Sequence, residues 1–162
     1  MAADEVDLLV EAWHRERADL DLGPVEVFSR IGRLSRRLDL ARRSAFAEHG
    51  IEAWEFDVLS ALRRAGEPYQ LSPGQLIKET LVTSGTMTNR VDRLAARAYV
   101  VRAPDPGDRR GVLVGLTRSG RRVVDAAFES LLDRERELLA ELGAADSKRL
   151  AALLKSLMAP LA

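Results

Sequence analysis

Arginine is the side chain that forks onto phosphate oxygens and guanine edges. Six of them, Arg90, Arg93, Arg97, Arg102, Arg109 and Arg110, fall between Ser84 and Arg110, against the acidic residues Asp92, Asp105 and Asp108. The chemistry open to such a cluster is recognition of a polyanion. Ser84, Thr86, Thr88 and Asn89 lie among them, with short hydrogen-bonding side chains of the kind that reach phosphates and base edges. Catalysis has no comparable constellation. The chain has no cysteine, and its two histidines, His14 and His49, lack a ligand partner at metal-binding spacing. No glycine-rich phosphate loop or nucleophile elbow occurs. The sequence therefore predicts a protein that is not an enzyme, with no catalytic residue, metal or cofactor.

For these residues to act together they must share a surface, and helical periodicity supplies one. Treated as a helix at 100° per residue, the run that starts at Thr83 puts Met87, Val91, Leu94 and Ala98 on one stripe. Gly85, Thr86, Asn89, Asp92, Arg93 and Ala96 then face away. A solvated helix has the same look, so the flanking segments decide. Upstream, Ser72 as N-cap, Pro73 at the first helical position and Gln75 form a capping box for a short helix ending near Glu79. Thr80-Leu81-Val82 turns into the next helix, capped by Thr83 or Ser84, which makes a helix-turn-helix. Downstream, Tyr99–Ala103 and Val112–Leu116 have strand composition around the turn residues Pro104-Asp105-Pro106-Gly107. The hairpin tip then carries Asp108-Arg109-Arg110, and adjacent arginines at a loop tip suit a narrow minor groove. The expected fold is mainly α with a small β-hairpin, a winged helix-turn-helix over residues 52–117 of a single 1–162 domain.

The flanking regions, 1–48 and 118–162, read as long helices. From Ala2 to about Arg17 the apolar face is Val6, Leu9, Val10 and Trp13; from Val25 to Glu48 it is Val27, Ile31, Leu34, Leu38, Ala41 and Ala45. Glu52–Ala65 forms a helix around Trp54, Val58, Ala61 and Ala65. Thr117 caps a long helix, Gly143 breaks it, and a last helix carries Leu150, Leu153, Leu154, Leu157, Met158 and Leu161. This is more apolar surface than a small winged core covers, so a two-fold homodimer is expected, with long N- and C-terminal dimerisation helices. Such a dimer sets two reading helices on successive major grooves, about 34 Å apart. The formal net charge is zero, so the basic face is local and its DNA affinity should fall with salt. No apolar run approaches a membrane span, the N-terminus is acidic, and the lack of cysteine fits a reducing compartment. The expectation is a cytoplasmic protein with no membrane partner.

A second constellation lies on the Glu52–Ala65 helix. Asp57 and Arg64 project at nearly the same angle, with Ala53 and Ser60 beside them. The small neighbours leave room for a ligand between a carboxylate and a guanidinium; an intrahelical charge pair in solvent is the other reading. Arg90 projects about 70° from the centre of its helix's packed stripe. From that border it can bond inward as well as outward to phosphate.

With these parts in place, the sequence resembles the MarR family of dimeric transcriptional regulators. The matching residues are Phe56-Asp57-Val58-Leu59, Leu71-Ser72-Pro73, Ser84-Gly85-Thr86-Met87-Thr88, Asp92-Arg93-Leu94, Asp105-Pro106-Gly107-Asp108-Arg109-Arg110-Gly111 and Leu116-Thr117 with Gly120-Arg121. The resemblance implies a repressor bound to a palindromic double-stranded DNA operator. The helix around Thr83–Arg97 would enter the major groove and the wing arginines the minor groove. It looks closer still to one branch, the urate-responsive regulators such as HucR and PecS, which implies a ligand site at Trp13, Asp57, Arg64 and Arg90. There a small anionic effector, urate or similar, sits between the tryptophan and the ligand-site arginine and displaces the aspartate, which otherwise couples to Arg90; such a pair would be a two-state element that a ligand anion can bias. A tricarboxylate such as trans-aconitate, or a phenolic anion, is the alternative effector; a helical protein-interaction module without DNA binding is the alternative class. One departure from the family pattern stands out. Ala98 occupies a position where many members end the helix with glycine, a substitution costing about 1 kcal/mol if the residue is left-handed.

Overall fold

The computed structural model describes residues 3–159, apart from the side chains of Arg109 and Arg110. The chain forms α1 (Glu5–Glu16), α2 (Gly23–Ala47), α3 (Ala53–Arg64), β1 (Gln70–Leu71), α4 (Pro73–Thr80), α5 (Ser84–Ala96), β2 (Val100–Asp105), β3 (Asp108–Leu116), α6 (Arg118–Leu139), a 3-10 turn (Ala140–Leu142) and α7 (Gly143–Met158). Two compact units divide it, the first ending at Ala41 and the second starting at Arg42.

In the first unit α1 starts at a reciprocal cap. Asp4 accepts from the amides of Val6 at 2.8 Å and Asp7 at 2.9 Å, and the Asp7 carboxylate accepts from the Asp4 amide at 2.8 Å. Val6, Val10 and Leu22 are buried together with Val25 against them. Trp13, expected on the same face, is 49% exposed. Arg30 reaches back to Asp4 at 2.8 Å and Asp7 at 2.6 Å. The Arg30 hydrogen bond, helped by the Asp7 and Val6 amides, holds the Asp4 carboxyl down to about 2.

The second unit is built on Phe46, Leu59, Leu62, Leu76, Met87, Leu94, Val100 and Val114, all fully buried, with Phe46 stacked on Phe56 at 4.2 Å between centroids. The stripe predicted for α3 is corrected here. Glu55, Phe56, Val58, Leu59, Ala61 and Leu62 are buried, whereas Trp54 is half-buried and Ala65 exposed. α3 packs against both α4 and α6, so a broader arc of it is covered than one stripe provides. On α2, Ala45 and Phe46 are buried, but Val27 and Leu34 are exposed. α7, which follows the expected break at Gly143 (φ 68°), buries none of its described residues. Leu161 lies outside the described residues.

The wing differs from expectation in three ways. First, β1, two residues long, adds a third strand by pairing Gln70 with Gly115 and Leu71 with Val114, giving the order β1-β3-β2. Second, the turn is tighter, because β2 runs on through Pro104 and Asp105 and Asp108 already opens β3. The Asp105 carboxylate accepts from the Gly107 amide at 2.8 Å and closes it. Third, Arg109 and Arg110 are not at a loop tip: their backbone belongs to β3. Pro104 faces Val112 and Asp105 faces Asp108, so the register offers no β2 residue opposite Arg109, Arg110 and Gly111. They form a bulge beside the turn, the kind of backbone irregularity that increases a strand's twist.

Candidate nucleic-acid interface and adjoining anion cleft

The helix-turn-helix is assembled by local chemistry. Ser72 accepts from the Gln75 amide at 3.3 Å, and Gln75 returns a carbonyl to the Ser72 amide at 2.8 Å, with Pro73 at the start of α4. Leu81 then takes a left-handed conformation (φ 53°), and Thr83 caps α5 by accepting from the Thr86 amide at 3.4 Å. α5 buries Met87, Val91 and Leu94, and exposes Ser84, Thr86, Thr88, Asn89 and Arg93. The packed stripe stops there, since Ala98 lies beyond the helix end and is exposed. Its φ of 55° is the left-handed value at which alanine is strained.

The arginines of α5 have partners that sequence reasoning missed. Arg90, Arg93 and Arg97 recur at helical spacing, and all three meet the start of α3 or the residues just before it. Arg93 donates to Glu52 at 2.9 Å and lies 4.6 Å from the centroid of Trp54; Arg90 lies 5.6 Å from the same ring. Trp54 Nε1 donates to the other Glu52 oxygen at 2.9 Å. Arg97 donates to both oxygens of Glu55 at 2.7 Å and to the Gly50 carbonyl at 2.8 Å. Glu55 is 1% exposed, and its hydrogen bond raises the Arg97 pKa above the ordinary value. Its burial is compensated, because among the described residues no buried side-chain polar atom lacks a partner. This pair ties the end of the reading helix to α3. No local pattern signals either link, since Glu52 and Glu55 are more than forty residues from their arginines.

The second predicted set is partly brought together. Asp57 and Arg64 line one cleft of about 310 Å³ with Ser60, Glu79, Thr80 and Leu81. They do not pair with each other. Arg42 donates to Asp57 at 3.3 Å, and Arg64 donates to Glu79 at 3.2 Å and to Ser60 Oγ at 3.1 Å. The cleft thus holds two guanidiniums, each answered by a carboxylate; Arg42 and Glu79 are the members sequence reasoning missed. Asp57 also borders a neighbouring cleft with Arg43 and Trp54, and Arg90 lies in a third with Trp54, Thr86 and Asn89. The anticipated Arg90–Asp57 pair is not made here: Arg90 faces Trp54 and Asp57 faces Arg42. Trp13 belongs to the first unit. The side chains of Arg109 and Arg110, the remaining predicted DNA contacts, lie outside the described residues.

Residues 49–111 match the MarR family model. The HTH-type transcriptional regulator PecS of Dickeya dadantii (strain 3937) is 36% identical over 150 residues, covering 93% of this chain and 90% of PecS. The HTH-type transcriptional repressor NicR of Pseudomonas putida is 38% identical over 113 residues, covering 67% of this chain and 70% of NicR. Among solved structures, a MarR variant from E. coli complexed with operator DNA superposes with a TM-score of 0.70 at 30% identity, over 86% of this chain and 99% of that one. A structure of Bordetella bronchiseptica BpsR, concerned with regulation of its DNA binding by 6-hydroxynicotinic acid, superposes with a TM-score of 0.61 at 29% identity, over 78% and 91% of the two chains.

Proposed function

This chain belongs to the MarR family of transcriptional regulators, and from that membership we propose that it is a homodimeric repressor that binds a palindromic operator and is released by a small anionic effector. The observation that carries the DNA-binding half is the split of α5, with Met87, Val91 and Leu94 buried and Ser84, Thr86, Thr88, Asn89 and Arg93 exposed. One face is given to packing, and the other offers the short donors and acceptors that read a major groove. The winged core at 52–117 contacts DNA, and the flanking regions at 1–48 and 118–162 join two copies.

The anion cleft supplies the switch. An effector carrying negative charge competes with Asp57 for Arg42 and with Glu79 for Arg64, so binding exchanges internal carboxylates for a ligand. α3 carries Asp57 in the middle and Glu55 near its start, so a change at the cleft is transmitted to Arg97 at the end of α5. Urate is the effector favoured by the relationship to PecS, with Asp57 and Arg64 of the cleft among its contacts. A tricarboxylate is the second reading, and the observation in its favour is the presence of two guanidiniums in one cleft.

Fluorescence-polarisation titration against the chain's own upstream intergenic DNA tests both halves. Binding that weakens with salt and is reversed by urate is the expected result. Absence of binding at low salt removes the DNA-binding half, and binding indifferent to urate but reversed by citrate replaces the effector.

A further inference from the structure

We propose that Glu52 restrains DNA binding by competing with DNA for Arg93. The inference rests on the DNA-binding reading of α5 and adds a component to it. Glu52 precedes α3, yet its carboxylate stands on the reading side of α5, in a cleft of about 530 Å³ shared with Trp54, Gly85, Thr86, Asn89, Arg90 and Arg93. Both of its oxygens are engaged. Oε1 accepts from Arg93 at 2.9 Å and Oε2 accepts from Trp54 Nε1 at 2.9 Å. The indole so fixed is the ring over which Arg93 lies at 4.6 Å. Carboxylate and indole together form a seat for the one exposed guanidinium among the reading residues of α5 that the structure describes.

A carboxylate on a surface that must approach a polyanion works against that approach. It does so twice, by occupying the guanidinium and by facing the incoming phosphates with its own charge. The pair is also reversible: the side chains of Arg93 and Glu52 are 56% and 61% exposed, so it is screened and weak. DNA therefore takes Arg93 from Glu52 at a modest cost that recurs in every complex. The restraint sets affinity low enough for a ligand acting through α3 to complete the release.

The test compares the full-length wild type, Glu52→Gln, Arg93→Gln and the double variant by fluorescence polarisation across a salt series. The probes are a duplex of arbitrary sequence and a duplex enriched by the wild type from a random pool. Glutamine keeps an acceptor for Trp54 Nε1 and removes the charge. Glu52→Gln is expected to bind both duplexes about two- to fivefold more tightly, the range of an exposed ion pair. Its log K against log salt line should steepen by about 0.9, one more unit of charge neutralised on DNA. The gain should be mostly lost in the Arg93→Gln background. Unchanged thermal melting of Glu52→Gln separates the effect from folding. Tighter binding that depends on Arg93 supports the proposal. Unchanged or weaker binding by Glu52→Gln overturns it, since a residue that merely seats Arg93 for reading would give weaker binding. An equal gain with or without Arg93 also overturns it. If the wild type binds neither duplex, the DNA-binding reading fails and the proposal with it.

Discussion

Ala98 is where a single residue works hardest against its own preference. The Tyr99 amide reaches the Leu94 carbonyl at 3.0 Å and the Ala98 amide reaches the Ala95 carbonyl at 2.9 Å, which together close α5 in a Schellman motif. That motif requires a left-handed residue at Ala98. The conformation is held from outside as well: Thr117 Oγ1 donates to the Ala98 carbonyl at 2.8 Å, and the Thr117 amide donates to the Tyr99 carbonyl at 3.0 Å. Gly120 lets this junction close, because a Cβ there would stand 2.1 Å from the Tyr99 carbonyl oxygen. The strained alanine is therefore locked between the reading helix and the first turn of α6. Ala98→Gly removes the steric cost of the left-handed residue at some expense in unfolded-chain entropy, for a net gain of about 1 kcal/mol. For a chain of this size that raises the melting temperature by about 2–4 °C. A lower melting temperature in differential scanning calorimetry would mean that the alanine methyl contributes packing that outweighs the strain.

Among the elements, those specified by neighbours in sequence are legible in the residue order itself, and those specified across the chain are not. The Ser72–Gln75 box, the Thr83 cap and the Thr117 cap are each written within four residues, and each forms as the residue types require. β1 has two residues and exists through Gly115 and Val114, so neither composition nor period marks it. The wing turn is displaced for a related reason. Pro104 and Asp105 have turn chemistry, but β3 pairs with them, and the surplus is absorbed as the Arg109–Gly111 bulge. The polar face of α5 follows from its 3.6-residue period, whereas the partners of its arginines are fixed only once α3 lies across it. The α1 cap yields a pH prediction at this scale. Asp4 is held near 2 in the folded chain against an ordinary 3.8, and a depressed carboxyl stabilises above its unfolded value. Its contribution is thus complete above about pH 4 and is lost as pH falls through 2. NMR titration of the Asp4 carboxyl should give a midpoint near 2, with protection of the Val6 and Asp7 amides declining over the same interval. A midpoint near 4 would remove Arg30 from the cap.

At the scale of the whole molecule, the exposed apolar residues are not scattered. On α7, Leu150, Leu153, Leu154 and Leu157 recur at the i, i+3, i+4, i+7 spacing of a buried helix face, yet Leu153 is 60% exposed and Met158 66%. Phe128, Leu138 and Leu139 on α6, and Val27, Phe28 and Leu34 on α2, are also exposed. A chain left with this much apolar surface gains by covering it with a second copy, and a palindromic operator requires two-fold symmetry of its reader. The proposed dimer would meet both requirements in one arrangement, with the helices outside the winged core carrying the interface and α5 of each copy reading a half-site. Replacing Leu153 and Leu157 with Glu should therefore halve the mass in sedimentation equilibrium without unfolding the winged unit, whose core is Phe46, Leu59, Leu62, Leu76, Met87 and Leu94. Operator affinity should fall about a hundredfold or more, because the second half-site would no longer be bound at high effective concentration. Binding to a single half-site should change little. A variant that stays dimeric would move the interface off α7, and a monomer that holds the full operator as tightly as the wild type would break the link between assembly and recognition.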